Sequence, residues 1–311
     1  METKGLEISR AFYREYGEEM LERLFPDSVS TFAVGLCGSG SDCFGFDDEI
    51  SRDHDFDPGF MIFLPGEDIV DERLAFRIER GYDGLPKTFR EMTRRPAGMT
   101  HGRRGPVRLS GFLLSRLGTD DVPDEAEWLT IPENYLAEVT NGEIFRDDSG
   151  IFTEIRRRMS APPRDVLIKK TAGCLFIMSQ SGIYNYERCV SRGDFDAARL
   201  SCFEFFKSAA NAFFWLNGKY MPYYKWTFRA MRSLPGGEAF AGILSEIISD
   251  APEFSRKKEK IDDVRVCLMK LISEKLFPLD SGMSLIDAAY YVNEKTADPC
   301  LRNLHVLHGV R

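Results

Sequence analysis

Two aspartates one residue apart, Asp53 and Asp55, follow a glycine- and serine-rich run, Gly38-Ser39-Gly40-Ser41, in a chain of 311 residues. An apolar run, Thr31 to Cys37, precedes the glycines, and another, Phe60 to Leu64, follows the aspartates. Side chains at i and i+2 of a strand share a face, which puts the two carboxylates roughly 6.5–7 Å apart at their Cα atoms. Carboxylates that close repel each other unless a cation sits between them. Hard oxygen donors suit Mg²⁺, which completes its octahedron with substrate phosphates. Two such ions about 3.5–4 Å apart can hold the attacking and leaving oxygens of an in-line displacement at phosphorus. Upstream, Gly38 to Ser41 let the backbone turn tightly and aim N–H groups and hydroxyls at phosphate oxygens. The sequence therefore assigns Asp53 and Asp55 to metal binding and catalysis, and Gly38, Ser39, Gly40 and Ser41 to phosphate binding.

Elements must hold these groups in place. Thr31–Cys37 reads as a short buried strand and Asp53–Leu64 as a second, kinked at Pro58-Gly59. Asp42–Ile50 reads as a short helix or loop, with Asp47, Asp48 and Glu49 as a solvated acidic turn. Apolar residues at helical spacing between Leu6 and Leu24, stopped by Pro26, predict an amphipathic helix packed on the sheet. Val70–Glu79 fits a strand or a short helix, and Val107–Leu113 reads as a further strand. Residues 81–106 are turn-rich and carry Arg94, Arg95, Arg103 and Arg104, either a solvated loop or an electropositive flap near a triphosphate or an acidic substrate. Trp128–Glu138 reads as helix. From about Phe152 helical patterns dominate, with segments at Val166–Asn185, Asp194–Leu216, Lys225–Leu234, Glu238–Ile248, Lys257–Leu276 and Leu285–Lys295. The expected organisation is an α+β fold: a small mixed sheet with flanking helices over 1–155, then an all-helical domain over 156–311, jointed near Pro162-Pro163.

Composition bounds the function. The net charge is −8 and the sequence is 43% hydrophobic, so a broad acidic surface disfavours bulk nucleic-acid binding while leaving room for one nucleotide. Seven cysteines without a CxxC pair fit reduced, buried thiols better than disulfides or zinc. No apolar stretch approaches the length of a membrane span and the charged N-terminus lacks a signal core, so a cytoplasmic location is expected. His54-Asp55 could suggest a His-Asp phosphohydrolase, but no histidine precedes His54 to complete the ligands. His305 and His308 lack metal-binding partners in the sequence. There is no Gly-x-x-x-x-Gly-Lys phosphate loop.

Tyr220 to Trp226, YMPYYKW, reads either as an aromatic helix junction or as a base-stacking platform in which Lys225 reaches a phosphate. Lys169 and Lys170 are further basic candidates. Phe203, Phe205, Phe206, Phe213, Phe214 and Trp215 read as the core of the helical domain.

The pattern Cys37-Gly38-Ser39, a spacer, then Asp53-His54-Asp55 resembles the polymerase-β-like nucleotidyltransferase superfamily. Gly45 and Ser51 match a further glycine and serine of that pattern. The fuller string GSGSDCFGFDDEISRDHD is similar to an uncharacterised bacterial family, domain of unknown function 4037, as are GLPKTF, AEVTNGEIFRDDSG, KYMPYYKW and DPCLRNLHV. The resemblance implies a small mixed sheet, a helical domain that closes over a nucleotide, and a basic residue of that domain, here Lys225, on the triphosphate. It implies a Mg²⁺-dependent transfer of a nucleoside monophosphate from an NTP, ATP in the first instance, to a small-molecule or protein acceptor, with release of pyrophosphate. The superfamily often has a third carboxylate on a neighbouring strand. Here the strand candidate offers Arg108 at its centre, with Glu79 as another option. The alternative is a non-catalytic nucleotide-binding or partner-binding, antitoxin-like protein on the same fold.

Overall fold

A computed structural model describes residues 4–49, 57–249 and 254–310. The chain divides into two compact units, one formed by 1–122 with 135–160, the other by 123–134 with 161–311.

The first unit is built on a four-stranded mixed sheet. Strand β1 (Ala33–Leu36) runs antiparallel to β2 (Met61–Leu64), and β1 also pairs antiparallel with the last strand. A two-stranded hairpin, β3 (Thr88–Phe89) and β4 (Met92–Thr93), stands apart from this sheet. Strand β5 (Gly105–Arg108) lies parallel to β2, and β6 (Glu143–Asp147) closes the order β5-β2-β1-β6. Every residue of β1 and β2 is buried, as expected of central strands covered on both faces.

Alternation along β2 divides the two layers. Phe60, Ile62 and Leu64 join the core that holds Phe12, Tyr13 and Leu21 of the N-terminal helices. Phe63 points the other way, 5.2 Å from the Phe112 ring and 4.5 Å from that of Phe152. The N-terminal segment is helical from Gly5 to Leu24, with a π turn at Tyr13–Gly17. Its start is held by Asp47, which is 1% exposed and accepts from the Gly5 N–H at 2.8 Å. Asp47 is thus a buried cap rather than part of a solvated acidic turn.

Several expected elements shift. Among the described residues the second strand covers only Met61–Leu64, and Pro58-Gly59 precede it. Val70–Glu79 falls in a helix, Glu72–Asp83, capped by the Asp71 side chain on Leu74 N–H. The strand expected at Val107–Leu113 ends at Arg108, and Leu109–Leu117 is helical. The segment mixes apolar residues with the exposed Ser110 and Gly111, and so short a window reads alike in both conformations. Trp128–Glu138 is two short helices, Glu125–Thr130 and Glu133–Thr140, divided at Pro132, since proline cannot donate to the helix ladder.

The second unit is helical throughout its described residues. Its two longest helices are Phe195–Leu216 and Phe254–Lys275. Phe205, Phe213 and Phe214 sit in its core, with Phe213 stacked on Phe240 at 4.3 Å. Phe203 does not, being 49% exposed.

Lys169 and Lys170, on the Arg164–Met178 helix, are buried clamps rather than phosphate ligands. The Lys169 ammonium donates to Asn293 Oδ1 at 2.7 Å and the Leu304 carbonyl at 2.6 Å. That of Lys170 reaches Glu133 Oε1 at 2.9 Å and the Gly309 carbonyl at 2.7 Å. Together they hold the C-terminal turns on the helical core. Lys169→Met should cost about 3 kcal/mol, because it strands buried acceptors. Urea unfolding should show the loss, and hydrogen exchange should quicken in 304–310 ahead of the rest of the unit.

Candidate functional site

The glycine run leaves β1 at its C-terminal end and is fastened from β6. Asn141, two residues before β6, accepts from the Gly38 N–H at 2.9 Å and donates from Nδ2 to the Gly38 carbonyl at 2.7 Å. Beside it, the Gly142 N–H donates to the Cys43 carbonyl at 2.8 Å. Gly38 takes φ 120°, a conformation costly for any residue with a Cβ. Its N–H is committed to Asn141, whereas the amides of Ser39, Gly40 and Ser41 make no hydrogen bond to another described residue. Ser39 is exposed and Ser41 half-buried. The Ser41 carbonyl accepts from Phe44 and Phe46 N–H at 3.2 and 2.8 Å.

A buried ion pair braces the turn from β5. Arg104, the residue before that strand, meets Asp42 Oδ2 at 2.5 Å, with side-chain exposures of 3% and 7%. Burial by itself would push the Asp42 carboxyl up. The charges of Arg104 and Arg103, with hydrogen bonds from Arg104 and the Cys43 N–H, reverse this and hold it below the ordinary carboxylate range. For Arg104, burial opposes its charge, and Asp42 more than compensates, keeping the guanidinium above its ordinary value. A side chain at Gly40 would collide with Asp42 and stand 2.9 Å from Arg103 Nη2, so only glycine lets these groups close on the turn.

Asp57, where the described chain resumes, accepts from Gly59 N–H and Arg95 N–H, each at 2.7 Å. Its backbone carbonyl lies 3.4 Å from Arg104 Nη2. Asp57, Arg95, Thr100, His101, Arg103 and Arg104 enclose a hollow of about 60 Å³. Arg104 in that wall is already paired with Asp42, and Asp57 is the carboxylate among the residues lining the hollow.

The four arginines of the turn-rich segment therefore divide. Arg94 is 4% exposed and donates to the carbonyls of Asp83 and Leu85 at 3.0 and 2.9 Å. Arg94 and Arg104 are structural ties, neither solvated nor part of a flap. Arg95 is exposed and Arg103 half-buried at the hollow.

On the other side, Arg116 stands 3.6 Å from the Cβ position of Gly38 and pairs with Glu138 at 3.2 Å. Burial raises the Glu138 carboxyl above its ordinary value, against the opposing pull of Arg116.

Asp53, Asp55 and His54 lie outside the described residues. Among the described residues no group of three or more His, Cys, Asp or Glu side chains could hold a metal ion. Arg108, which the strand offers in place of a third carboxylate, does not stand at the turn end of the sheet. Arg108 pairs in register with Leu64, at the opposite end of β2. Its guanidinium is bound to the Pro65 and Val70 carbonyls and to Glu72. Glu79 lies on the Glu72–Asp83 helix. At the turn end β5 presents Arg104, not an acid. Lys225 belongs to the helical unit, exposed on a short 3₁₀ turn, Tyr224–Trp226, with its ammonium 5.0 Å over the Trp226 ring.

Asn141 and Asp42 were not legible as site residues, and Arg104 was legible only as one of a cluster of four arginines. The only signal for the first was the Asn141-Gly142 turn dipeptide.

A family model described as Domain of unknown function (DUF4037) matches residues 128–227. That stretch takes in Asn141, β6 and Lys225 but leaves Gly38 to Asp57 outside. No curated protein and no solved structure matches the chain. No helix among the described residues is long and apolar enough to cross a membrane.

Two substitutions probe the turn. Asn141→Ala removes both bonds to Gly38 and should lower stability by about 2–4 kcal/mol, measured by chemical unfolding. Asp42→Asn leaves Arg104 buried and unpaired and should cost about 3–5 kcal/mol at neutral pH. Because the folded state holds the Asp42 carboxyl below its unfolded value of about 3.9, its contribution is complete above that value. It is lost as pH falls through the folded value, so the gap between native protein and Asp42→Asn should narrow in unfolding curves taken below about pH 4.

Proposed function

We propose that the protein is a Mg²⁺-dependent nucleotidyltransferase. It moves a nucleoside monophosphate, AMP from ATP in the simplest case, to a hydroxyl or phosphate oxygen of a small-molecule or protein acceptor, and pyrophosphate leaves. The observation that carries this reading is the Gly38–Ser41 turn, pinned by Asn141 and flanked by Arg103, at the end of the sheet from which the Asp53-His54-Asp55 segment follows. The resemblance of that segment to the nucleotidyltransferase superfamily supplies the rest.

Asp53 and Asp55 offer the hard oxygen donors that Mg²⁺ takes. Bound there, the ion supplies charge neutralisation to the triphosphate. The chain's own groups do the positioning. The amides of Ser39, Gly40 and Ser41 and the Ser39 hydroxyl hold the β- and γ-phosphates, while Arg95 and Arg103 offset their charge from the hollow beside Gly40. The resemblance adds Lys225 as a basic candidate for phosphate. Catalysis then rests on orientation and charge stabilisation rather than on a covalent step. The reading carries with it a cytoplasmic protein that binds no bulk nucleic acid and no membrane.

A second reading has one observation in its favour. At the turn end of the sheet the residue before β5 is an arginine, Arg104, tied to Asp42, rather than an acid. On that reading the protein binds a nucleotide or a protein partner, as an antitoxin-like module does, without turning it over.

An assay with α-labelled NTPs, Mg²⁺ and cell extract separates the two. Transferase action predicts label on a small molecule or protein, with transfer reduced by about 100-fold or more in Asp53→Ala plus Asp55→Ala. Equal transfer by that double variant overturns the metal assignment. Nucleotide binding without any pyrophosphate release establishes the second reading.

A further inference from the structure

A second cavity lies at the opposite end of the same sheet. It opens at the start of β1 (Thr31, Ala33), the end of β2 (Leu64, Pro65) and the end of β6 (Asp147), whereas the glycine turn leaves the other end of β1. A length of sheet of four to five residues, roughly 15 Å at the strand rise, separates the two. The cavity is a cleft of about 750 Å³, inside the range of about 300–1,000 Å³ typical of small-molecule sites.

Its walls have a definite chemistry. Phe63, Leu109, Phe152 and Ile155 form an apolar floor, and Ile69 and Ile151, each 53% exposed, extend it toward solvent. The polar rim carries Asp120, Asp121, Asp147 and Glu154, and none of the lining residues is Lys, Arg or His.

These carboxylates are not equivalent. Asp147 caps the Ile151–Met159 helix, accepting from Gly150 N–H at 3.0 Å and Thr153 N–H at 2.8 Å. That bonding also offsets the positive helix end, which would otherwise favour an anion. Arg157 forks onto both oxygens of Glu154 at 2.7 Å. The acidic character at the mouth thus falls chiefly to Asp120 and Asp121, on the loop after the Leu109–Leu117 helix. Asp121 spends one oxygen on the Val122 N–H at 2.6 Å.

We propose that this cleft binds a small amphipathic organic cation, an amine carrying an apolar body, with the body on the Phe63–Phe152 floor and the ammonium at Asp120 and Asp121. An anion is disfavoured by the rim, and a neutral apolar ligand would leave that charge unanswered. The inference does not depend on the nucleotide reading, since it uses no residue of the glycine turn.

Dansylcadaverine, an aryl ring on a primary alkylamine, is a suitable probe. Titrated into the full chain, it should show saturable, blue-shifted fluorescence. Its N-acetyl derivative, which lacks the charge, should bind roughly tenfold more weakly, and so should the amine to Asp120→Asn plus Asp121→Asn. Ile69→Ser plus Ile151→Ser should weaken both probes alike, and Asp53→Ala plus Asp55→Ala should leave them unchanged. Absence of saturation, or equal binding of amine and N-acetyl derivative to the unaltered protein, overturns the proposal. So does undiminished binding of the amine to a folded Asp120→Asn plus Asp121→Asn variant.

Discussion

The buried contact between Asp42 and Arg104 is the constraint around which the first unit closes. Asp42 comes from the turn after β1, and Arg104 immediately precedes β5, two strands away in the sheet. The guanidinium also reaches the Asp57 carbonyl ahead of β2, and Asn141 ties the same turn to the start of β6. All four strands are therefore fastened together at one end, by polar groups in a region where water is excluded. Such a pair adds little net stability over an apolar substitute, yet removing one partner is costly. Its value lies in fixing where the backbone of Ser39 to Ser41 stands relative to the ends of β2, β5 and β6. For a turn proposed to hold phosphates that precision matters more than stability, since small displacements of positioned groups cost rate.

The opposite end of the sheet is built differently. There Arg108 and Asp147 bind backbone groups, and a cleft with an apolar floor opens. One small sheet thus presents a tightly braced, arginine-rich end and an open, acidic-rimmed end. The two proposals, a triphosphate at one end and an amine at the other, rest on this difference, in a chain whose net charge is −8. The helical unit uses the same device of buried charge for another purpose. Lys169 and Lys170 are neutralised by carbonyls, an amide and one carboxylate, and hold the C-terminal turns in place.

Much of this was readable in the residues. Short apolar runs ending in glycine mark β1, and the periodicity of Leu6 to Leu24 marks the N-terminal helix. The α+β texture and the helical second half follow from the same patterns. The failures have physical causes. Leu109–Leu113 is five residues long and mixes apolar side chains with Ser110 and Gly111, too short a window for its period to separate strand from helix. Arg94, Arg104, Lys169 and Asp47 look solvated by residue type, but each is buried because backbone or side-chain partners meet it in the fold, from eight residues away for Arg94 to more than a hundred for Lys169. Phe203 looks like core, yet faces solvent, because a long helix has more apolar positions than its one buried stripe requires. The Gly-Ser run was legible as a turn, but the residue that pins it, Asn141, lies a hundred positions on and carries no catalytic mark. Asp53 and Asp55 rest on their types and spacing.

The central claim is that Gly38–Ser41 and the aspartate pair form one Mg²⁺–nucleotide site. Calorimetric titration of the full chain with a non-hydrolysable α,β-methylene ATP, with and without Mg²⁺, tests it most directly. The account predicts one site per chain, binding that requires Mg²⁺, and loss of that binding in Asp53→Ala plus Asp55→Ala. Absence of binding, or Mg²⁺-independent binding of equal strength in the native and double-variant proteins, would contradict it.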